Sequence, residues 1–266
     1  MKGVAFDKIG ASPTILDGIE TSEPADGQIL VKSIYTAINP VDGFMASTGI
    51  LIVQWPFVMG CDAAGIVVKA GASAAGPLGP FQVGGEVLGC TRLGSKGHST
   101  CQEHFLMDAR VTTPKPKNIT LAQAATVGVA FYVGRFSKQG QTFADIHFRT
   151  ACLGVFDGLA IALPDPTKLS DWGMGRTYPQ IPEDLVKTLF AKVMLGPIGR
   201  FEAMKLDAQL ASYVPLIVSL IESGKVIPTE YEIIGKTGLD SVLEAYAYQG
   251  GGKGGNKKVL VKLQDE

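Results

Sequence analysis

Short stretches in which apolar and polar side chains alternate, broken by glycine, proline, serine or aspartate, dominate the first third of the chain. Residues 28–36 alternate in part and are rich in β-branched and aromatic types, as a half-buried strand requires. Residues 65–69, 86–89 and 103–107 repeat the pattern. Together they predict a small antiparallel β-barrel or sandwich with little helix. The pattern changes at Asn118-Ile-Thr120, where an N-cap precedes the helix-forming run Leu121-Ala-Gln-Ala-Ala125. A second helix is predicted within 207–223, with Asp207 as N-cap, apolar Leu210, Tyr213, Val214, Ile217, Leu220 and Ile221, and Gly224 as stop. Pro215 argues for a shorter version that begins near Tyr213 and carries the proline in its first turn. Ser241 and Glu244 have capping-box spacing ahead of residues 245–248, with Gly250 just past the end. Residues 257–263 read as a closing strand.

A chain of 266 residues with 46% hydrophobic and 18% charged side chains can bury a sizeable core, as one or two domains. Lys+Arg 24 against Asp+Glu 25 leaves a net charge of −1, which supplies no basic field for nucleic acid or an anionic membrane. The longest apolar run, Val214–Ile221, is interrupted by Pro215 and Ser219 and falls well short of the ~20 residues needed to cross a bilayer. No signal peptide is visible after Met1, so a soluble, cytoplasmic protein is expected. Cys61, Cys90, Cys101 and Cys152 show no Cys-x-x-Cys spacing, and reduced thiols are the expectation.

Several ordered motifs carry a resemblance. Ala37-Ile-Asn-Pro-Val-Asp42, the stretch Trp55–Val68 with its Gly60-Cys61-Asp62 core, Val83-Gly-Gly-Glu-Val-Leu-Gly89 and Ala124-Ala-Thr-Val-Gly128 resemble the GroES-like catalytic domain of medium-chain dehydrogenase/reductases. Ile221–Val226 and Gly254–Leu263 resemble the family's C-terminal return into that domain. Within the family the chain is most similar to the zinc-independent enoyl reductases that act in trans with fungal polyketide synthases, and more distantly to quinone oxidoreductases. The resemblance implies an α+β fold: a GroES-like antiparallel barrel with a few packed helices.

The family's Rossmann domain is not found in the sequence. Its fingerprint needs glycines directly after a strand and a helix that points at the pyrophosphate. Gly173-Met-Gly175 lacks the third glycine and the flanking elements, and Gly250–Gly255 precedes a strand; both read as turns. The deletion is placed after residue 171. The expected organisation is therefore a GroES-like domain over 1–171, a linker and remnant over 172–224, and the C-terminal return over 225–266. Residues 133–149 interrupt a near-continuous apolar helix and read either as an unspliced intron or as a surface excursion. Without a Rossmann layer, apolar faces on 150–163 and 186–221 should collapse onto the barrel or form a homodimer interface.

The resemblance also assigns roles. Val41, Asp42, Gly43, Phe44, Thr150, Val259 and Leu260 are expected beside NADPH, and Asn39, Cys61, Asp62, Val127, Phe131 and Tyr132 beside the substrate. A lysine is common in the relatives where this chain has Phe44, so a cation for phosphate or ribose is lost. The residues taken alone allow plainer readings: Asn39, Pro40 and Asp42 as a loop whose side chains satisfy local backbone, and 124–132 as core helix. The zinc ligand set of related alcohol dehydrogenases is not reproduced at Asn39 and Cys61. Cys90, His98, Cys101 and His104 can be drawn as a zinc quartet, but ordinary barrel residues are the better reading, and no metal is expected. No residue is assigned as catalytic. The family function is NADPH-dependent reduction of an α,β-unsaturated acyl chain, here with cofactor binding impaired. The alternatives are a cofactor-independent cyclase or isomerase acting on a polyketide-like substrate, and a pseudoenzyme that docks to a polyketide synthase.

Overall fold

The computed structural model describes residues 1–49, 51–128, 204–254 and 257–266. Its backbone is a branched sheet built on one long strand. Gln28–Ile38 (β3) pairs along one edge with Asp62–Ala70 (β5), which continues through Glu86–Cys90 (β8) to Thr113–Pro114 (β10). The other edge of β3 is shared. His104–Asp108 (β9) pairs with its first half, Ile29 facing Met107, and Lys258–Lys262 (β12) pairs with its second, Leu260 facing Ala37. Tyr231–Ile233 (β11) joins β12 in parallel. A second sheet orders Thr14–Leu16 (β2), Gly3–Phe6 (β1) and Phe57–Val58 (β4), and Ala75–Gly76 (β6) with Gly79–Pro80 (β7) makes a small hairpin.

The five strands read from alternation lie where it placed them, with ends that differ by one to three residues: β5 starts three residues earlier at Asp62, β9 shifts by one, and β12 is shorter by one at each end. The closed barrel expected from sequence is not found among the described residues. Splitting one edge of β3 between β9 and β12 fans the sheet instead, and β10 and β11 end its longest path without pairing to each other. Hydrophobic side chains then fill three regions. One, containing Ala37, Ala64, Leu88, Cys90 and Leu260, packs against Leu121, Ala125 and Val127 and against Ile217 and Ile221. A second gathers Val4, Phe6, Ile38, Met45, Val242 and Val259. A third lies around Ile29, Val31, Phe105 and Met107. Leu260 and Val259, adjacent on β12, therefore serve different regions, as strand alternation dictates.

The helices correct three expectations. Pro40–Thr48 (α1) forms where no helix was anticipated, with Asn39 as N-cap and Pro40 in the first turn, where a missing N–H costs no intrahelical bond. Met204–Glu222 (α3) runs through Pro215 instead of starting beside it, its far half anchored by buried Val214, Ile217 and Ile221. Asp240–Gly250 (α4) begins one residue before Ser241 and includes Gly250. The Ser241 hydroxyl donates to the Lys236 carbonyl at 2.6 Å, so the expected capping box is not made. Leu121–Ala124 (α2) does start as read: Thr120 Oγ1 accepts from Gln123 N at 3.2 Å, and the Gln123 side chain accepts from Thr120 N at 2.9 Å. Of the apolar faces expected to lack cover, the stretch 211–221 packs in part onto the sheet, while 150–163 and 186–203 lie outside the described residues, as do the segment 133–149 and the expected deletion point after residue 171.

Asp42 ties α1 to the sheet. Fully buried, its carboxylate accepts from Asn39 N at 2.7 Å and from Gly60 N at 3.2 Å. Gly60 sits at φ +94°, and a Cβ there would meet Thr100 Oγ1 at 2.5 Å and Cys101 Sγ at 2.7 Å, so the turn accepts only glycine. Burial, reinforced by the nearby Asp62 charge, outweighs these two bonds and pushes the Asp42 carboxyl up to about 7.

Two predictions follow from this framework. Thr120→Ala should lower stability by about 1 kcal/mol, and Thr120→Ser should retain most of it, as read by urea unfolding. Asp42 holds its proton more tightly folded than unfolded, so its contribution is full below about pH 4 and is lost as pH rises through about 7. The urea midpoint should fall between pH 5 and pH 8 in the natural chain and fall less in Asp42→Asn; equal slopes contradict this role.

Candidate functional site

Strand register sets the site. Leu260 on β12, Ala37 on β3, Asp62 on β5 and Cys90 on β8 lie side by side in one transverse row. Leu260, Ala37 and Cys90 face the region roofed by α2 and its following turn, and Asp62 stands among them. A carboxylate placed there, with no exposed surface, must have partners or lose its charge.

Its partners come from two distant segments. Lys258 Nζ, at the start of β12, lies 2.9 Å from Asp62 Oδ2, and its side chain is only 10% exposed. Asn39 Nδ2 donates to the same oxygen at 3.1 Å, while Asn39 Oδ1 accepts from Lys258 Nζ at 2.5 Å. The three side chains form a closed triangle in which ammonium, amide and carboxylate each bond the other two. Gly128 closes over the remaining oxygen: a Cβ at that position would fall 2.2 Å from Asp62 Oδ1. Behind the row, Thr36 Oγ1 donates to the Asp62 carbonyl at 3.0 Å and shares a 2.7 Å contact with Thr100 Oγ1, which fixes the backbone from which the carboxylate springs.

Two thiols flank the triangle. Asn39 Nδ2 donates to Cys61 Sγ at 3.6 Å, and Cys61 Sγ lies 4.0 Å from Asp62 Oδ1. The hydrogen bond to Cys90, followed by burial and the Asp62 charge, holds the Cys61 thiol well above its ordinary range. Cys90 is also raised; burial and the neighbouring carboxylates outweigh the lowering effect of the Cys61 bond. Cys61, Asp62 and Cys90 place their ligand atoms within 4.8 Å of one another, the one such cluster of metal-type donors among the described residues. The alternative quartet of Cys90, His98, Cys101 and His104 is not brought together: Cys101 packs beneath Thr36 and Gly60, and Nδ1 of both His98 and His104 is buried with no hydrogen-bond partner. Even the three-donor cluster fits a divalent metal poorly. One carboxylate oxygen is taken by Lys258 and Asn39, the other is overlaid by Gly128, and both sulfurs hold their protons.

The residues assigned by resemblance divide into three groups. Asn39, Cys61 and Asp62 are brought together and buried, with Val127 in the adjoining core. Val41, Gly43 and Phe44 form a partly exposed edge of α1, where Gly43 approaches the Tyr246 ring. Asp42 is turned inward as a cap, and Val259 and Leu260 are core residues at 1% and 0% exposure. Phe131, Tyr132 and Thr150 lie outside the described residues. The plainer reading of Asn39-Pro-Val-Asp42 as a loop gives way to a helix N-terminus, although Asp42 does satisfy local backbone as that reading held. Sequence reasoning missed Lys258. Its signal was present: two consecutive lysines head an apolar strand, so alternation must send one toward the core.

The α1 edge expected beside a nicotinamide presents Val41, Gly43 and Phe44, and the helix carries no lysine or arginine that could pair with a phosphate.

Comparison with known proteins agrees with this architecture. Residues 25–117 match the alcohol dehydrogenase GroES-like domain. A zinc-type alcohol dehydrogenase-like protein of Schizosaccharomyces pombe is 28% identical over 160 residues, 59% of this chain and 46% of that protein. The trans-enoyl reductase tazE of Aspergillus terreus is 31% identical over 115 residues, 41% of this chain and 38% of that protein. The matched segments thus span less than half of either relative. Among solved structures, an alcohol dehydrogenase superfamily protein from Novosphingobium aromaticivorans superposes with a TM-score of 0.67 at 16% identity, covering 99% of this chain and 100% of that one. The JamJ enoyl reductase superposes with a TM-score of 0.64 at 15% identity, covering 99% of both chains. No helix among the described residues is long and apolar enough to cross a membrane. Residues 25–117, which carry β3, β5, β8, β9 and β10 of the branched sheet, thus match the alcohol dehydrogenase GroES-like domain, and the chain is similar to medium-chain dehydrogenases and reductases, an enoyl reductase among them.

Proposed function

We propose that this chain is a zinc-independent medium-chain reductase that acts on a carbon–carbon double bond conjugated to a carbonyl, in the manner of trans-acting enoyl reductases. The observation that carries the reading is the Asn39–Asp62–Lys258 triangle, which holds α1 against the sheet with its Val41, Gly43 and Phe44 edge partly exposed. Relatives whose names specify this chemistry support it: the trans-enoyl reductase above, a 2-methylene-furan-3-one reductase of Solanum lycopersicum and an NADPH-dependent alkenal/one oxidoreductase of Arabidopsis thaliana.

When bound, NADPH supplies a hydride for the β-carbon of such a substrate. The chain's own contribution is positional. Lys258 and Asn39 fix the start of α1, Asp42 locks its first turn to Gly60, and the aromatic side chain of Phe44 sits on the partly exposed edge in place of a cation. Cofactor affinity is accordingly low, because α1 supplies no phosphate partner and no Rossmann fingerprint is found in the sequence. The substrate class is an apolar acyl or polyketide-like molecule, presented by a polyketide synthase.

NADPH titration by fluorescence, paired with turnover of a crotonyl thioester, tests the proposal. Weak but saturable binding with thioester-dependent NADPH oxidation is the expected result. Phe44→Lys should tighten NADPH binding by roughly ten-fold, the effect of restoring one charge-assisted contact of about 1.4 kcal/mol. Absence of saturable binding in both chains would sink the reductase reading. Conversion of polyketide intermediates without NADPH would then favour the cyclase or isomerase, and inertness toward them the pseudoenzyme.

A further inference from the structure

The Cys61, Asp62 and Cys90 cluster is built from the donor types that a thiophilic divalent cation accepts, and all three residues are buried. What distinguishes it from a metal centre is the cation already there. Lys258 Nζ sits 2.9 Å from Asp62 Oδ2, delivered from 196 residues along the chain, and is held in place by Asn39 Oδ1. We propose that Lys258 is a built-in cation that takes the electrostatic place of a metal ion at a latent thiol–carboxylate site, closing that site to divalent metals in the natural chain and leaving it able to take one up when the lysine is removed.

Space supports this. The Asp62 oxygens are already covered by Lys258, Asn39 and Gly128, so an incoming dication finds its place beside the carboxylate filled by a cationic side chain. Without the lysine that side chain no longer competes, and its volume opens beside Asp62 Oδ2. Burying an uncompensated carboxylate is costly, so the truncated site gains a strong preference for a cation. The lysine is therefore a charge-matched occupant, fixed by the fold, where metal occupancy would depend on supply.

Cobalt(II) is the probe, because thiolate ligation gives it a near-ultraviolet charge-transfer band. The full-length reduced chain, stripped of metal, is titrated with cobalt chloride alongside Lys258→Ala, Lys258→Arg and the double variant Lys258→Ala/Cys90→Ser. The band should be absent in the natural chain and in Lys258→Arg, appear in Lys258→Ala with apparent affinity at least about ten-fold tighter, and disappear in the double variant. If Lys258→Ala does not fold alone, zinc chloride should restore its folding, read by circular dichroism, where magnesium chloride does not. A band in the natural chain that is lost on Cys61→Ser overturns the proposal. So does a folded Lys258→Ala chain with no band, or an unfolded one that zinc fails to restore.

Discussion

A carboxylate with no exposed surface cannot stay charged in a protein interior unless something of opposite charge reaches it, and in this chain that something comes from the far end of the sequence. Asp62 lies in the middle of the sheet and Lys258 at the start of the strand that closes it. Removing one partner of such a pair costs about 3–5 kcal/mol, whereas forming it contributes far less against a well-packed apolar alternative. The pair therefore acts mainly as a constraint. β12 must dock beside β3 in one register, Leu260 opposite Ala37, for the ammonium to reach Asp62, and any slip would leave both charges buried and unpaired.

The same constraint organises the surroundings. Asn39 joins the triangle through both ends of its amide and thereby fixes the residue from which α1 starts. Asp42, one turn on, carries that orientation to the Gly60 turn and so to the strand bearing Cys61 and Asp62. Small residues make the arrangement possible. Ala37 leaves room beside Asp62, and glycine at 60 and 128 allows Thr100, Cys101 and the carboxylate to approach closer than any Cβ would permit. The polar network is thus a loop that runs from sheet to helix and back, and the candidate cofactor edge of α1 hangs from it.

Much of this was legible in the residues. Period-two alternation located β3, β5, β8, β9 and β12, and the N-cap signal at 118–120 ahead of a helix-forming run marked the start of α2, because both signals are local. The motifs 37–42 and 60–62 hold residues that the structure brings together, Asn39 with Cys61 and Asp62. What was not legible is non-local. The fanning of the sheet depends on β9 and β12 sharing one edge of β3, which no window of sequence contains. Helix α1 was hidden by its Gly43 and its brevity, α3 overrode its internal Pro215 through the packing of Ile217 and Ile221, and the Ser241 box lost to a competing bond with the Lys236 carbonyl. Lys258 was read as one more strand lysine, since only the tertiary register reveals which of two adjacent lysines turns inward.

A double-mutant cycle in urea unfolding tests the central pairing most directly, with Lys258→Met and Asp62→Asn made singly and together. The account predicts strong coupling: each single change destabilises by about 3 kcal/mol or more, and the double variant recovers at least about 2 kcal/mol of their sum. Additive losses, or single variants within about 0.5 kcal/mol of the natural chain, would show that the ion pair does not hold the site together.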